Sequence, residues 1–144
     1  MTEAETRAAI VAEALEWEAT PYMAGAMIKG VGVDCAMLPN AIYSALDLAP
    51  RQTISYTQDW MMHRDEETFL AWVTPYAREI TRDALGPGDF VIWKFGRTYS
   101  HGAIVIAPPI VLHAVQEGRA VIRGNMDRDE DLRSRSARYF TLWG

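Results

Sequence analysis

The chain holds one cysteine and three histidines. Cys35 follows Gly30-Val31-Gly32-Val33-Asp34 and precedes an apolar run (Ala41, Ile42, Ala45, Leu46) with helical spacing. Asp34 is a good N-cap, so the pattern predicts Cys35 in the first turn of a helix. A thiol there faces unpaired backbone N–H groups and the positive end of the helix dipole, and both favour the nucleophilic thiolate. His101 and His113 fall on two consecutive strand-like segments joined through Ala107-Pro108-Pro109-Ile110. Antiparallel pairing of those segments predicts the two imidazoles side by side. With Cys35 at the tip of a helix docked on that sheet, His101 would take or share the thiol proton. His113 would hydrogen-bond the far nitrogen of His101 and fix its tautomer. Such a thiolate attacks a carbonyl, an acyl-enzyme forms, and water activated by His101 releases it. A backbone N–H near Cys35, with Tyr22 as an extra donor, would hold the oxyanion.

Zinc binding is the chemical rival, with Cys35, His101 and His113 joined by Asp34 or Asp89. The ligands lack any short paired spacing, so no metal and no cofactor is expected. Taken alone, a single cysteine reads as a small buried hydrophobe; the two histidines argue otherwise. His63, between Met62 and Arg64, reads as a surface residue. Glu13, Glu16 and Glu18 read as the wet face of a first helix. No P-loop, dinucleotide fingerprint or HExxH signature occurs.

The elements that must position these residues follow from periodicity. From about Thr6 to Glu18, Ala8, Val11, Ala12 and Leu15, with Ile10, predict an amphipathic helix closed by Thr20-Pro21. Residues 25–32 are glycine-dense and predict a loop near the site. The helix begun at Asp34 should reach about Leu46. Pro39, four residues after Cys35, has no N–H for the Cys35 carbonyl, so either the first turn is distorted or the regular helix starts nearer Pro39. Arg51 to His63 reads as loop with a short helix, and Glu66 to Arg78 as a helix bent at Pro75. After the turn Gly86-Pro87-Gly88-Asp89 the composition changes to that of strands. Phe90 to Phe95, Ile104 to Ile106, Val111 to Val115, Val121 to Arg123 and Tyr139 to Trp143 follow in turn. Helices first and antiparallel strands after predict an α+β domain.

At 144 residues the chain reads as a single domain, 1–144. A chain of this size buries roughly 70% of its unfolded surface, so its core needs no disulfide or metal. The net charge of −5 arises from 19 acidic and 14 basic side chains. Arg128, Arg133, Arg135 and Arg138 are interleaved with Asp127, Asp129, Glu130 and Asp131, which reads as a solvated mixed surface and not a nucleic-acid footprint. No apolar run is long enough to span a bilayer, and the acidic Thr2-Glu3-Ala4-Glu5 start is not a signal peptide. Cytoplasmic synthesis without a signal is therefore expected, with any extracellular target reached by another route.

Together these motifs resemble the NlpC/P60 cysteine peptidases, especially the short forms encoded with the tails of phages and gene transfer agents. The matching residues are Thr20-Pro21-Tyr22, Gly30-Val31-Gly32-Val33-Asp34-Cys35, Leu38, Gly86-Pro87-Gly88-Asp89-Phe90-Val91, Ser100-His101-Gly102-Ala103-Ile104 and Leu112-His113-Ala114. The resemblance implies a papain-like α+β core with the nucleophile at a helix N-terminus packed on an antiparallel sheet. It implies Cys35 as nucleophile, His101 as base and His113 as the group orienting it, with Tyr22 near the oxyanion and Asp34 beside it. It further implies hydrolysis of peptidoglycan stem peptides, commonly between γ-D-glutamate and a diamino acid. Tail-encoded forms imply phage-like tail or baseplate partners, delivery to the cell wall or periplasm, and local opening of the wall. The run Ala36-Met37-Leu38-Pro39 departs from the small residues usual after the nucleophile, and an inactive tail component is the alternative reading.

Overall fold

The computed structural model describes residues 1–51 and 75–144. The predicted elements between Gln52 and Thr74, and His63 with them, lie outside the described residues. Helix α1 (Glu3–Glu16) opens with a capping box. Thr2 Oγ1 accepts from the Glu5 N–H at 3.1 Å and Glu5 Oε1 accepts from the Thr2 N–H at 3.0 Å. Its buried face is Ile10 and Ala14, continued by Trp17 at the C-cap, while Ala8 and Ala12 are exposed. The expected stripe is thus rotated, because the large Ile10 and Trp17 side chains, not the small alanines, gain most from burial. The helix also ends two residues earlier than predicted, and Ala19 at φ 72° turns the chain away.

The glycine-dense link is not all loop. It forms a two-stranded ribbon, β1 (Met27–Ile28) against β2 (Gly32–Val33). Helix α2 (Met37–Ala45) follows. Beyond Pro75, Arg78 belongs to strand β3 (Arg78–Ile80), not to the end of a helix. The remaining strands are β4 (Phe90–Phe95), β5 (Thr98–Ala107), β6 (Ile110–Val115), β7 (Ala120–Asn125) and β8 (Ala137–Thr141). They form a six-stranded antiparallel sheet in the order β3-β8-β4-β5-β6-β7. The predicted α+β class holds.

Period-two alternation gives the sheet two buried faces. Phe90, Ile92, Ile104 and Leu112 face Ile10, Leu38 and Ile42 of the two helices. Val91, Trp93, Val105 and Val111 face the other way, covered by Met126 and by Leu132 of the short helical turn Glu130–Arg133. Each such side chain stabilises the fold by about 1.5–3 kcal/mol relative to exposure.

The Gly86-Pro87-Gly88-Asp89 turn is a structural lock. Gly88 has φ +86°, which a side chain would strain. Fully buried Asp89 accepts the Gly86 N–H through Oδ2 at 2.9 Å. Arg7 Nη1 donates to the Pro87 carbonyl at 2.8 Å and lies 3.0 Å from Asp89 Oδ1, which has that charge pairing but no hydrogen bond among the described residues. Tyr43 Oη donates to the Gly88 carbonyl at 2.7 Å, tying the turn to α2. Among the described residues, no helix is long and apolar enough to cross a membrane.

Candidate active site

The regular helix begins at Met37, so Cys35 occupies the turn just before it. Asp34 builds that turn. Its Oδ1 accepts the Ala36 and Met37 N–H groups at 3.1 and 2.9 Å, and its Oδ2 accepts the Gly25 N–H at 2.6 Å. The residue predicted as an N-cap therefore does cap orphan amides, and in addition ties the glycine link to the nucleophile turn. Its carboxylate oxygens accept backbone N–H groups, and Asp34 lines the same cavity as Cys35. The Ala36 amide, taken by Asp34, is likewise not free for an oxyanion.

Tyr22 is placed by a segment that adds itself to two strands. The Tyr22 N–H donates to the Arg119 carbonyl at 2.8 Å, the Val33 N–H to the Pro21 carbonyl at 3.1 Å and the Met23 N–H to the Val33 carbonyl at 2.9 Å. The phenol oxygen lies 4.0 Å from Cys35 Sγ. Burial, with Cys35 and Asp34 adding to it, raises the phenol far above its ordinary range, so Tyr22 stays a hydroxyl donor.

His101 and His113 meet as predicted, but diagonally. The β5-β6 hairpin turns at Pro108-Pro109, and His113 pairs in register with Ala103. His101 is one pleat period further along the same face, a diagonal that long side chains bridge. His101 Nε2 and His113 Nδ1 are 2.8 Å apart and the rings are nearly perpendicular at 82°. Both are buried at 6% exposure. With Nε2 engaged, Nδ1 is the nitrogen His101 can offer to chemistry. A His101 that accepts at Nδ1 donates from Nε2 to His113, which puts the His113 proton on Nε2. That nitrogen is buried without a hydrogen-bond partner among the described residues. It lies against Gly124, where a Cβ would come within 2.6 Å of it and 3.2 Å of Asp129 Oδ2.

Cys35, Tyr22, His101 and His113 open onto one cavity of about 260 Å³. The thiol hydrogen-bonds the Ser100 carbonyl at 3.7 Å, and no hydrogen bond joins it to His101 among the described residues. The Gly102 N–H donates to the Cys35 carbonyl at 3.3 Å. The nucleophile turn therefore rests on the backbone either side of His101. Cys35 stays part-exposed to the cavity while protein atoms crowd its sulfur elsewhere. That burial pushes the thiol up to about 12, Asp34 adds to the rise, and Tyr22 with the Cys35 and Ala36 amides opposes it. The helix-end amides predicted to favour the thiolate are outweighed by desolvation and the adjacent carboxylate. Burial, then His113 and Arg135, keeps His101 well below the ordinary imidazole range. Burial holds His113 at about 4 despite the opposing Asp129 and Asp131 carboxylates. The resting site is a neutral thiol beside a neutral imidazole pair.

The metal alternative loses its fourth ligand, since Asp34 holds amides and Asp89 pairs with Arg7 in the Gly-Pro-Gly-Asp turn. Among the described residues no three histidine, cysteine or carboxylate side chains are placed to hold one metal ion together. Met37 is buried in the core at 1% exposure and does not line the cavity. Two residues escaped the sequence reading. Phe95 stacks on His101 with ring centroids 4.6 Å apart, and Arg135 lies 3.8 Å over the Phe95 ring. Strand alternation from Trp93 could have flagged Phe95. Nothing local marks Arg135 within its run of surface charges.

No family sequence model matches the chain, and no curated protein matches it by sequence. Solved structures do match in fold. The NlpC/p60 domain of the peptidoglycan hydrolase SagA is 22% identical, covers 92% of this chain and 96% of its own, and superposes with a TM-score of 0.63. A lipoprotein-like NLP/P60 family protein from Staphylococcus aureus is 22% identical with a TM-score of 0.67. It covers 95% of this chain, which spans 42% of that protein. RipD from Mycobacterium tuberculosis, described as a non-catalytic NlpC/p60 domain protein adapted to peptidoglycan binding, is 13% identical. Its TM-score is 0.64, and the match covers 95% of this chain and 97% of RipD. The chain has the NlpC/P60 fold, helices packed on an antiparallel sheet, with a Cys-His-His cluster at its cavity.

Proposed function

We propose that the protein is a cell-wall cysteine endopeptidase that hydrolyses peptidoglycan stem peptides at bonds such as γ-D-glutamyl–diamino acid. The observation that carries this reading is the hydrogen-bonded His101–His113 pair opening onto the same cavity as the Cys35 thiol and the Tyr22 hydroxyl. Attack begins as the Cys35 proton passes to His101 Nδ1 and the sulfur bonds to the scissile carbonyl carbon. The Tyr22 hydroxyl donates to the resulting oxyanion. Collapse breaks the carbon–nitrogen bond, and the His101 imidazolium protonates the departing amine. Water, deprotonated by His101, then cleaves the thioester, giving a carboxylic acid and the free thiol. His113 holds the His101 ring and its tautomer throughout.

The tail-encoded forms that the motifs resemble supply the setting. The protein is made in the cytoplasm, is carried by a phage-like tail or baseplate, and opens the wall locally. A second reading, an inactive wall-binding or tail component, draws on the thiol's bond to Ser100 in place of His101 and on the fold it shares with RipD. The two separate when purified muropeptides are incubated with wild type and with Cys35→Ala and weighed by mass spectrometry. Stem cleavage by wild type alone supports the peptidase; muropeptides left intact by both would leave the binding role. Particles carrying Cys35→Ala that deliver DNA at the normal rate would remove the enzyme from that process.

A further inference from the structure

Arg135 is the one permanent cation among the described residues that line the cavity. Its Nε donates to the Asp131 carbonyl at 3.0 Å, and its guanidinium carbon sits 3.8 Å over the Phe95 ring. These two contacts fix the plane of the group. They leave the terminal nitrogens without an acidic partner among the described residues. Two other arginines of the same run differ. Arg133 pairs with Glu130, and Arg138 holds Glu79 through two nitrogens. Phe95 in turn stacks on His101. Arg135, Phe95 and His101 thus form a pile that begins at the cavity rim and ends at the base.

We propose that Arg135 is the substrate-carboxylate reader of this cavity, selecting peptides with a free carboxylate beside the scissile bond over their carboxamides. The proposal rests on the peptidase reading for the identity of the substrate. A γ-linked glutamyl residue leaves its α-carboxylate free, and a planar guanidinium with both terminal nitrogens available matches that group as a two-point fork. Stacking on an aromatic ring pre-organises the fork, so less freedom is lost on binding. The charge of Arg135 also disfavours imidazolium at His101. A carboxylate settling on Arg135 relieves that repulsion, so the correct substrate strengthens the base that must act on it. Glu117 and Asp131 on the rim suit an amine elsewhere on the same ligand, as a peptide ending in a diamino acid would present.

The test measures binding apart from turnover. Calorimetry on the Cys35→Ala protein uses L-alanyl-γ-D-glutamyl-diaminopimelate and the same peptide with the glutamyl α-carboxylate converted to carboxamide. The expected result is tighter binding of the carboxylate form by about tenfold. Arg135→Gln should abolish the preference and Arg135→Lys restore part of it, both with unchanged thermal unfolding because the side chain is exposed. Equal binding of the two peptides, a preference that survives Arg135→Gln, or no binding of either would overturn the assignment. Cleavage of both peptides at one rate by the native protein would also refute the reader while leaving the peptidase intact. Arg135-dependent binding with no cleavage would do the reverse.

Discussion

The Gly102 N–H donates to the Cys35 carbonyl at 3.3 Å, joining the turn that carries the thiol to the strand residue after His101. In a regular helix that carbonyl would accept from the residue four positions on, which is Pro39 and has no N–H. The proline that marked the helix start as irregular therefore leaves the Cys35 carbonyl to β5. Pro39→Ala supplies a competing N–H. Because proline is well tolerated in a first turn, unfolding should shift by less than about 1 kcal/mol. Turnover should fall by about tenfold as the thiol turn drifts from His101. Thermal melts and kcat/KM measured together check this, and unchanged turnover would remove the Gly102 tie from the mechanism.

Burial makes Cys35 a reluctant thiolate, and Asp34 makes it more so. Iodoacetamide should label the free protein slowly at neutral pH and faster as the pH climbs past the ordinary thiol range, with no acid-side plateau. Asp34→Asn removes a negative charge beside the sulfur and should speed labelling at fixed pH. The same change sets an amide NH2 against the Gly25 N–H, costing about 1–3 kcal/mol of stability. A mutant that is both less stable and more reactive is the signature sought. Slower labelling would contradict the charge effect.

Gly124→Ala would place a methyl 2.6 Å from His113 Nε2, well inside contact distance. The ring must move, loosening its hold on His101. We expect kcat/KM to drop by at least about tenfold, with a stability loss of about 1–3 kcal/mol. Gly118→Ala, where a methyl meets nothing closer than 3.8 Å, is the matched control and should leave activity unchanged.

His113 titrates at about 4 in the fold against 6.5 ordinarily. Between those values the unfolded chain binds the extra proton, so stability falls as pH drops. The contribution, up to about 3 kcal/mol, is complete above the higher value and gone below the lower. His101, pushed the same way by burial, adds to it. Melting temperatures followed from about pH 7.5 to about pH 4.5 should fall for wild type and fall less for His113→Gln. Parallel curves would show that His113 is not buried in neutral form.

Much of the layout was legible in the residue order because it depends on short-range pattern. Phe90 to Phe95 is apolar, β-branched and aromatic where β4 forms, Pro39 announces an irregular helix start, and the strand-like segments around His101 and His113 foretell two meeting imidazoles. What the order determined is which groups lie on which elements. Tertiary structure decided the rest. The turn at Pro108-Pro109, with a bulge in β5 between Val105 and Ala107, set the histidines on a diagonal of one face, and packing rotated the buried face of α1 to Ile10, Ala14 and Trp17. Folding enclosed the Cys35 sulfur beside Asp34, which pushes the thiol up where helix-end amides alone would favour the thiolate, and brought Arg135 from a stretch of surface charges to the cavity. The physical reason is the same in each case. Desolvation and Coulomb interactions depend on distances between residues remote in sequence, and those distances exist only once the sheet has closed over its two cores.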